Sequence, residues 1–317
     1  MTWRASVPPS GGPHDAPEPV AVEPPPGARL LRPELAMLSV VAIWGLNFSV
    51  SKWSLREFPP LAFTAIRFFA GSAILLLILQ RHVGLGPPPR RELLALTVLG
   101  VLGNTLYQIC FILGLSLTTA INSSLVLASM PAIVTALSAA LGVETVTPRI
   151  ARGVGLASLG VVLVVAMSGA HFSAATLAGD LLTLGAVLCW SLYTMGIRRL
   201  AADISPLSIT AWTMVLGTPG LVLAGLPSLV EMHWGAVSAR AWAGLAYSAI
   251  LSLVVAYVVF NWSVRAVGSS RTAVFTCMTP LVAMVGAFVL LGERPGLTQL
   301  VGAGLIFSGV LLSQRRE

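Results

Sequence analysis

After residue 32, the chain is divided into ten apolar runs, separated by short segments that carry most of the charged and turn residues. A helix needs about 20 mostly apolar residues to cross the hydrocarbon core of a bilayer, with a range of roughly 17–25. The alternation of apolar and polar residues that is typical of membrane barrels does not occur in the sequence. The pattern therefore predicts an all-α integral membrane protein with ten transmembrane helices. The predicted spans are Leu35–Trp53, Leu61–Gln80, Leu93–Leu115, Ala120–Val143, Gly153–Ala170, Leu181–Ile197, Leu207–Leu229, Ala241–Val264, Thr272–Leu291 and Gly296–Ser313.

The composition excludes a soluble enzyme and a disordered protein. Charged residues make up 10% of the chain and the mean hydropathy is +0.87, whereas soluble domains carry about 25% charged residues. In a soluble protein, the net charge of +7 would suggest a nucleic-acid partner. Here the basic residues lie singly or in pairs between the apolar runs, so they indicate membrane topology and we expect no nucleic-acid binding.

The distribution of basic residues predicts that both termini face the cytoplasm. An even number of spans places the two termini on the same side of the membrane. With the N-terminus inside, 14 of the 19 lysine and arginine residues lie in cytoplasmic segments, four lie in outer segments, and Arg67 lies within a span. Residues 1–32 are rich in proline and lack the apolar core of a signal peptide, so we expect a disordered cytoplasmic tail. The alternative for this tail is a Pro-rich binding segment.

The second five spans repeat the first five. Because five is an odd number, the second copy must enter the membrane from the opposite face. Inverted repeats of this kind are related by a pseudo-two-fold axis in the membrane plane, bind solutes near the midplane and permit alternating access. The predicted organisation is a tail at 1–32, a first repeat at 33–170 and a second repeat at 178–314. The matching pairs are Trp44–Trp190, Lys52–Arg198 and Pro60–Pro206 at an offset of 146, and Pro131–Pro280, Glu144–Glu293, Gly153–Gly302, Gly155–Gly304 and Gly160–Gly309 at an offset of 149.

Three stretches within this repeat carry a resemblance to a known family. They are Trp44–Phe48 through Pro59 and Pro60 to Ile66–Phe68, the run from Pro131 through Glu144 to Pro148 with Gly153, Gly155 and Gly160 after it, and Leu291–Pro295 with Gly302, Gly304 and Gly309 after it. With these segments in this order, the chain resembles a ten-span EamA-type permease of the drug/metabolite transporter superfamily. The resemblance implies a bacterial inner-membrane permease, often an exporter of amino acids or related metabolites. It also implies a central cavity lined largely by spans three, four, eight and nine, with contributions from one and six.

Polar side chains within the spans are the candidates for a solute-binding site, because polar groups in lipid are costly unless they face protein or water. Asn104 and Gln108 lie four residues apart in span three and so share a helix face, as do Tyr257 and Asn261 in span eight. The alternative is that these groups only join helices through hydrogen bonds. The candidate substrate-binding residues are Asn47, Arg67, Asn104, Gln108, Asn122, Tyr193, Tyr257, Asn261, Thr272 and Thr276.

Arg67 and two prolines each have two interpretations. Arg67 either binds a substrate anion in the cavity or tethers helices near the outer face, since a long side chain can snorkel. Pro131 and Pro280 lie near the middle of spans four and nine, where each removes a backbone donor and bends its helix. They are either paired hinges beside a midplane site or static kinks that shape the bundle.

The acidic residues bear on ion coupling, and none lies at the centre of a span. The resemblance implies that small multidrug resistance relatives use a carboxylate in span one, which this chain lacks. Proton exchange at a midplane carboxylate is therefore not expected. Facilitated efflux, or coupling through a peripheral acid such as Asp180, stays open. Glu144 and Glu293 lie at span ends, where they are either gate or capping charges or simply solvated, and solvation is the simpler interpretation.

The sequence offers no set of residues for catalysis or for a bound cofactor. The three cysteines form no CxxC pair, and the four histidines lie outside the apolar runs. Without paired acids, a metal cluster or an activated nucleophile, we predict no enzyme activity, no catalytic residues, no metal and no cofactor.

The sequence therefore predicts a secondary transporter. It would move a small polar or amphipathic, amino-acid-like metabolite across the inner membrane by alternating access, as an exporter. The alternatives are a drug or other-metabolite efflux protein, and a non-transporting scaffold or sensor with a transporter-like fold. The expected partners are the solute and the lipid bilayer, and both a monomer and a weak homodimer are compatible with two fused repeats.

Overall fold

The computed structural model describes residues 33–82, 84, 86, 88–140, 147–166, 173–200, 204–267, 275–276 and 278–314. Within these residues, all regular secondary structure is helical. The predicted disordered tail at 1–32 lies outside them, as do Thr272 and Glu144, and so do the side chains of Pro131 and Asn261.

The helices of the described residues form ten groups, numbered α1 to α10, and each group overlaps one predicted span. This confirms the predicted all-helical class. The groups are α1 (Pro33–Ser54), α2 (Pro60–His82), α3 (Arg90–Leu117), α4 (Ala120–Ala128 and Met130–Ala140), α5 (Pro148–Ala166), α6 (Ala174–Leu200), α7 (Pro206–Glu231), α8 (Ala239–Ala246, Tyr247–Val255 and Ala256–Val267), α9 (Thr279–Leu291) and α10 (Leu297–Gln314).

Six of the described helices, α1, α2, α3, α6, α7 and α8, are long and apolar enough to cross a membrane, and α5, α9 and α10 contain shorter apolar stretches. Their outer surfaces carry large exposed apolar side chains, such as Leu223 and Val230 on α7. Hydroxyl side chains satisfy the first amides of several helices. The Thr119 hydroxyl accepts from the backbone N–H of Asn122 at the start of α4. The Ser205 hydroxyl accepts from the backbone N–H of Ser208 at the start of α7. Backbone N–H and C=O groups in lipid must find hydrogen-bond partners within the protein, which explains why the apolar segments are helical.

Two helices contain π-helical turns in matching places. α3 is π-helical at Val101–Leu106, and α8 is π-helical at Tyr247–Val255. These are the third helices of the two repeats. A π-turn shifts the hydrogen bonds to i→i+5 and so rotates the side chains after it relative to those before it. Gln108 follows the first turn and Tyr257 follows the second.

The helices that carry the two prolines are interrupted just before them. α4 breaks at Ser129, ahead of Pro131, and α9 begins at Thr279 after a turn at Met278, ahead of Pro280. Ser129 and Met278 are 149 positions apart, so the interruptions are repeat equivalents. Since proline supplies no backbone donor, a break at this point is the expected local result.

Helices α5 and α10 pack against each other through reciprocal glycines. A Cβ atom on Gly160 would meet the carbonyl oxygen of Gly302, and one on Gly309 would meet the carbonyl oxygen of Gly153. Gly153 and Gly302 are repeat equivalents, as are Gly160 and Gly309, so the two contacts exchange when the repeats are exchanged. Small residues allow helix backbones in a membrane to approach this closely.

Candidate substrate site: a central cavity

A cavity of about 230 Å³ lies between helices of both repeats. It is smaller than the roughly 300–1,000 Å³ of pockets for drug-sized ligands and suits a small metabolite. Helices α1, α2, α3, α4, α6, α8 and α9 contribute to its wall. Among the residues predicted as functional, those that line it are Asn47, Arg67, Gln108, Tyr257, Thr276 and Pro280.

Aromatic side chains from both repeats form much of the wall. Trp44 on α1 lies 5.7 Å from Tyr257, and Trp190 on α6 lies 6.2 Å from the same ring, between ring centroids. Tyr107 packs against Trp190 at 4.8 Å, and Phe260 packs against Trp44 at 5.2 Å. In the sequence, Trp44 and Trp190 are a matching pair of the repeat, and Trp44 also begins one stretch of the family resemblance, but neither was predicted as a site residue. Their matched positions within spans one and six, rather than at span ends, were a signal that could have placed them in the site.

Arg67 is buried, with 1% of its surface exposed, and it contacts two other helices. Its Nη2 donates to Oε1 of Gln108 on α3 at 2.5 Å, and its Nη1 donates to the hydroxyl of Ser248 on α8 at 2.7 Å. The guanidinium lies 5.4 Å from the centre of the Phe63 ring and 5.5 Å from that of Phe68. Arg67 therefore ties α2, α3 and α8 together while lining the cavity, and it does not snorkel to the surface.

Three predicted residues do not line the cavity. Asn104 lies in the π-helical turn and is buried beside Gly217 of α7. The Tyr193 hydroxyl lies 3.2 Å from that of Thr213 on α7, and its ring packs against Trp190. Asn122 belongs to a different polar cluster.

That cluster surrounds Asp180, whose side chain is fully buried at the start of α6. Its carboxylate accepts from the Thr118 hydroxyl at 2.5 Å and from the Asn122 amide at 3.2 Å. The Asn122 oxygen in turn accepts from the Gln299 amide on α10 at 2.5 Å. Asn122 thus holds helices together at an end of the bundle, away from the cavity wall.

The same end of the bundle, here called the Lys52 face, holds two further charged contacts. The Lys52 ammonium at the end of α1 donates to the carbonyl oxygens of Leu115, Ser116 and Thr118. The carboxylate of Glu293 accepts from the backbone N–H groups of Ala120 and Ile121 at 3.1 and 3.2 Å. Of the two interpretations of Glu293, the structure shows the capping charge rather than simple solvation, because this carboxylate satisfies the free amides at the N-terminus of α4.

Gly292 explains how Glu293 reaches α4. Its φ angle of 71° lies in the left-handed region, which glycine adopts without steric cost. The turn ends α9 and is closed by a hydrogen bond from the Glu293 N–H to the Ala287 carbonyl. This geometry directs the chain back toward the start of α4.

Comparison with known proteins identifies the family. The model of the EamA-like transporter family matches residues 31–166 and 177–314, one match for each half of the chain. The uncharacterized transporter YyaM of Bacillus subtilis is 28% identical over 281 residues, covering 87% of this chain and 92% of the relative. A probable terminal-alkyne amino-acid exporter of Streptantibioticus cattleyicolor is 28% identical, over 87% of this chain and 94% of its own length.

A solved structure, titled only as the crystal structure of a protein, has a similar fold. It superposes with a TM-score of 0.63 at 20% identity and covers 89% of this chain and 96% of its own. Because both halves of the chain match this transporter family, the protein is a membrane transporter rather than an enzyme. The chain belongs to the EamA-like transporter family.

Proposed function

We propose that the protein is a secondary transporter that exports a small polar or amphipathic, amino-acid-like metabolite across a bacterial inner membrane by alternating access. The central cavity carries this proposal. Its wall combines hydrogen-bonding groups, such as Gln108 and Asn47, with the aromatic rings of Trp44, Trp190 and Tyr257. A solute with one polar end and an apolar body matches such a wall.

The relation between the halves supports alternating access. Gln108 and Tyr257, which are 149 positions apart, both line the cavity, as do Trp44 and Trp190, which are 146 apart. The reciprocal glycine contacts of α5 and α10 are those that a two-fold relation between inverted repeats would produce. A site between such repeats can be opened to either face by exchanging their conformations.

The direction and orientation rest on the sequence and on a relative. Basic residues are in excess at the termini and in the loops that follow spans two, four, six and eight. This distribution favours cytoplasmic termini, and the Lys52 face would then be the outer one. Export of an amino-acid-like solute is supported by the relative from Streptantibioticus cattleyicolor, which is named as a probable terminal-alkyne amino-acid exporter. The aromatic wall also favours a second candidate function, the efflux of a drug-like apolar compound.

Flux measurements in proteoliposomes test the transporter proposal. Proteoliposomes that contain the purified full chain are loaded with an unlabelled amino acid, and the uptake of the same radiolabelled amino acid is measured. We expect counterflow for at least one amino acid of a panel. Tyr257→Ala should reduce this flux at least tenfold, because it removes an aromatic wall of the cavity. Tyr247→Ala is the matched control, since Tyr247 lies on the same helix, bonds to the Ile43 carbonyl and does not line the cavity.

The outcomes separate the candidates. Flux of apolar drugs without flux of any amino acid would favour the drug-efflux function. A well-folded protein that moves neither class, in either direction, would favour the scaffold or sensor and end the proposal. Increased cellular uptake of a toxic amino acid on overexpression, instead of increased tolerance, would contradict export.

A further inference from the structure

The central cavity contains a positive charge that no described residue neutralises. Arg67 is the one charged side chain among the described residues that line the cavity. Its two hydrogen-bond partners, Gln108 and Ser248, are an amide and a hydroxyl, and neither carries a charge. Its Nε is buried and has no hydrogen-bond partner.

A buried guanidinium in this state is incompletely satisfied. It has five N–H donors, and a donor left unpaired away from water is costly. Neutral acceptors lower that cost but leave the charge uncompensated, and a charge within a membrane normally pairs with an opposite charge or with water. A bound anion would supply both the missing acceptor and the opposite charge.

We infer that the transported solute carries a carboxylate, which binds the Arg67 guanidinium, and an apolar body, which packs against the rings of Trp44, Trp190 and Tyr257. This inference rests on the proposed function and gives its solute a charge class. Monocarboxylates and zwitterions bind, whereas organic cations without a carboxylate are repelled. Arginine is suited to this role because its planar fork of donors matches a carboxylate.

A substitution of Gln108 can test this preference for carboxylates over cations. Its Oε1 already lies 2.5 Å from Nη2 of Arg67. Gln108→Glu would place a carboxylate at the same point with almost no change of shape. That carboxylate would neutralise Arg67 and compete with the carboxylate of the solute.

The experiment compares ligands of one shape and different charge. Binding of 3-phenylpropionate, phenylalanine, 3-phenylpropanamide and phenethylamine to the purified full chain is measured by tryptophan fluorescence, since Trp44 and Trp190 line the cavity. Leucine and isocaproate are added as aliphatic carboxylates. We expect at least one carboxylate to bind tenfold or more tightly than the uncharged amide, and the amine to bind most weakly.

Two variants and one control assign the preference to Arg67. Arg67→Gln should abolish the preference for the carboxylate over the amide. Because Arg67 also joins three helices, this variant is accepted only if its melting temperature shows that it is folded. Gln108→Glu keeps the arginine and should weaken carboxylate binding at least tenfold while improving amine binding. Arg56→Gln removes an exposed arginine outside the cavity wall and should change neither affinity.

Three results would overturn the inference. The first is that the amine binds the unmodified protein as tightly as the carboxylates do. The second is that no carboxylate of the panel binds at all. The third is that Gln108→Glu, folded, leaves the order of affinities unchanged. The assay does not require flux, so binding of carboxylates without counterflow would contradict the transporter proposal alone. Counterflow of amines without any carboxylate would contradict this inference and the amino-acid-like solute, but not transport itself.

Discussion

Ser72 on α2 and Thr218 on α7 hydrogen-bond to each other through their hydroxyl groups, at 2.8 Å, although they are 146 positions apart in the chain. This is the offset that relates the first parts of the two repeats, so each residue contacts its own equivalent. A residue can meet its equivalent only near the axis that relates the two copies. The pair therefore supports a two-fold axis that passes between α2 and α7.

Removing either hydroxyl of this pair should weaken the α2–α7 contact slightly. Hydrogen bonds between membrane helices are worth about 0.6 kcal/mol on average, so Ser72→Ala and Thr218→Ala should each lower the stability by an amount of that order. The double variant should cost less than the sum of the two single variants. Unfolding in detergent measures all three, and strictly additive losses would contradict direct coupling.

Substitutions of two glycines on α5 should show which of them is needed for packing against α10. Gly160→Leu would drive a side chain into Gly302 and Ile306 of α10 and should destabilise the protein by about 1–3 kcal/mol. Gly155→Leu, on the same helix, meets only open space and should be tolerated. Thermal unfolding of the two variants in detergent gives the comparison. Equal melting temperatures would show that the close approach of α5 and α10 is wrong.

Glu293 should stabilise the start of α4. Glu293→Ala leaves the amides of Ala120 and Ile121 without their acceptors and should cost about 1–2 kcal/mol, as loss of a capping group does. Glu293→Gln keeps one acceptor oxygen and should cost less. The exposed Glu231 at the end of α7 provides the control substitution, Glu231→Ala. An unchanged melting temperature for Glu293→Ala would mean that Glu293 is simply solvated and does not cap α4.

Acidification should weaken the loop contact of Glu57. Hydrogen bonds from the Ser238 N–H at 2.6 Å and the Ser238 hydroxyl at 2.8 Å hold the pKa of Glu57 below its ordinary value of 4.5. A carboxyl whose pKa is lower in the folded state contributes stability above pH 4.5, and that contribution is lost as the pH falls through the folded pKa.

Melting temperatures between pH 7 and pH 3 test this loss. Glu57→Gln cannot titrate, so its stability should fall less on acidification than that of the unmodified protein. Ser238→Ala removes the hydroxyl donor and should bring the pKa of Glu57 closer to 4.5. Parallel pH profiles for Glu57→Gln and the unmodified protein would contradict the assignment.

The proline breaks allow a test of the hinge interpretation. Pro280→Ala restores a backbone donor and lets the helix continue through the break before α9. If the break is a hinge, the rate of counterflow should fall several-fold while the melting temperature stays the same or rises. A static kink predicts the opposite pattern, in which counterflow is kept. Both are measured on the same proteoliposome preparation.

The sequence predicted the helices well because the bilayer imposes a length and composition on each segment separately. Every span from Leu35 to Ser313 overlaps a helix of the structure, and the break before Pro280 follows from the missing donor of proline. The EamA relationship was also readable, since it lies in local motifs and constant offsets.

The position of the polar groups was readable only in part. Gln108 and Tyr257 do line the cavity, but Asn104 does not, and its side chain lies against Gly217 of α7 instead. Four-residue spacing predicts a shared helix face but not the neighbouring helix that each residue meets, and the apolar pattern does not predict the π-turn at Val101–Leu106. The aromatic wall was overlooked for a related reason, since a tryptophan in a span looks the same whether it faces lipid or a cavity.

What the sequence alone determined was therefore the set of membrane helices, their duplication and the residues that are too polar for lipid. Only the tertiary structure decided which of these residues meet. Arg67 joins Gln108 and Ser248 from two other helices, and Glu293 reaches the start of α4 from a turn more than 170 positions away in the chain. The hydrophobic requirement acts on each segment by itself, whereas a hydrogen bond between helices depends on the rotation and approach of both.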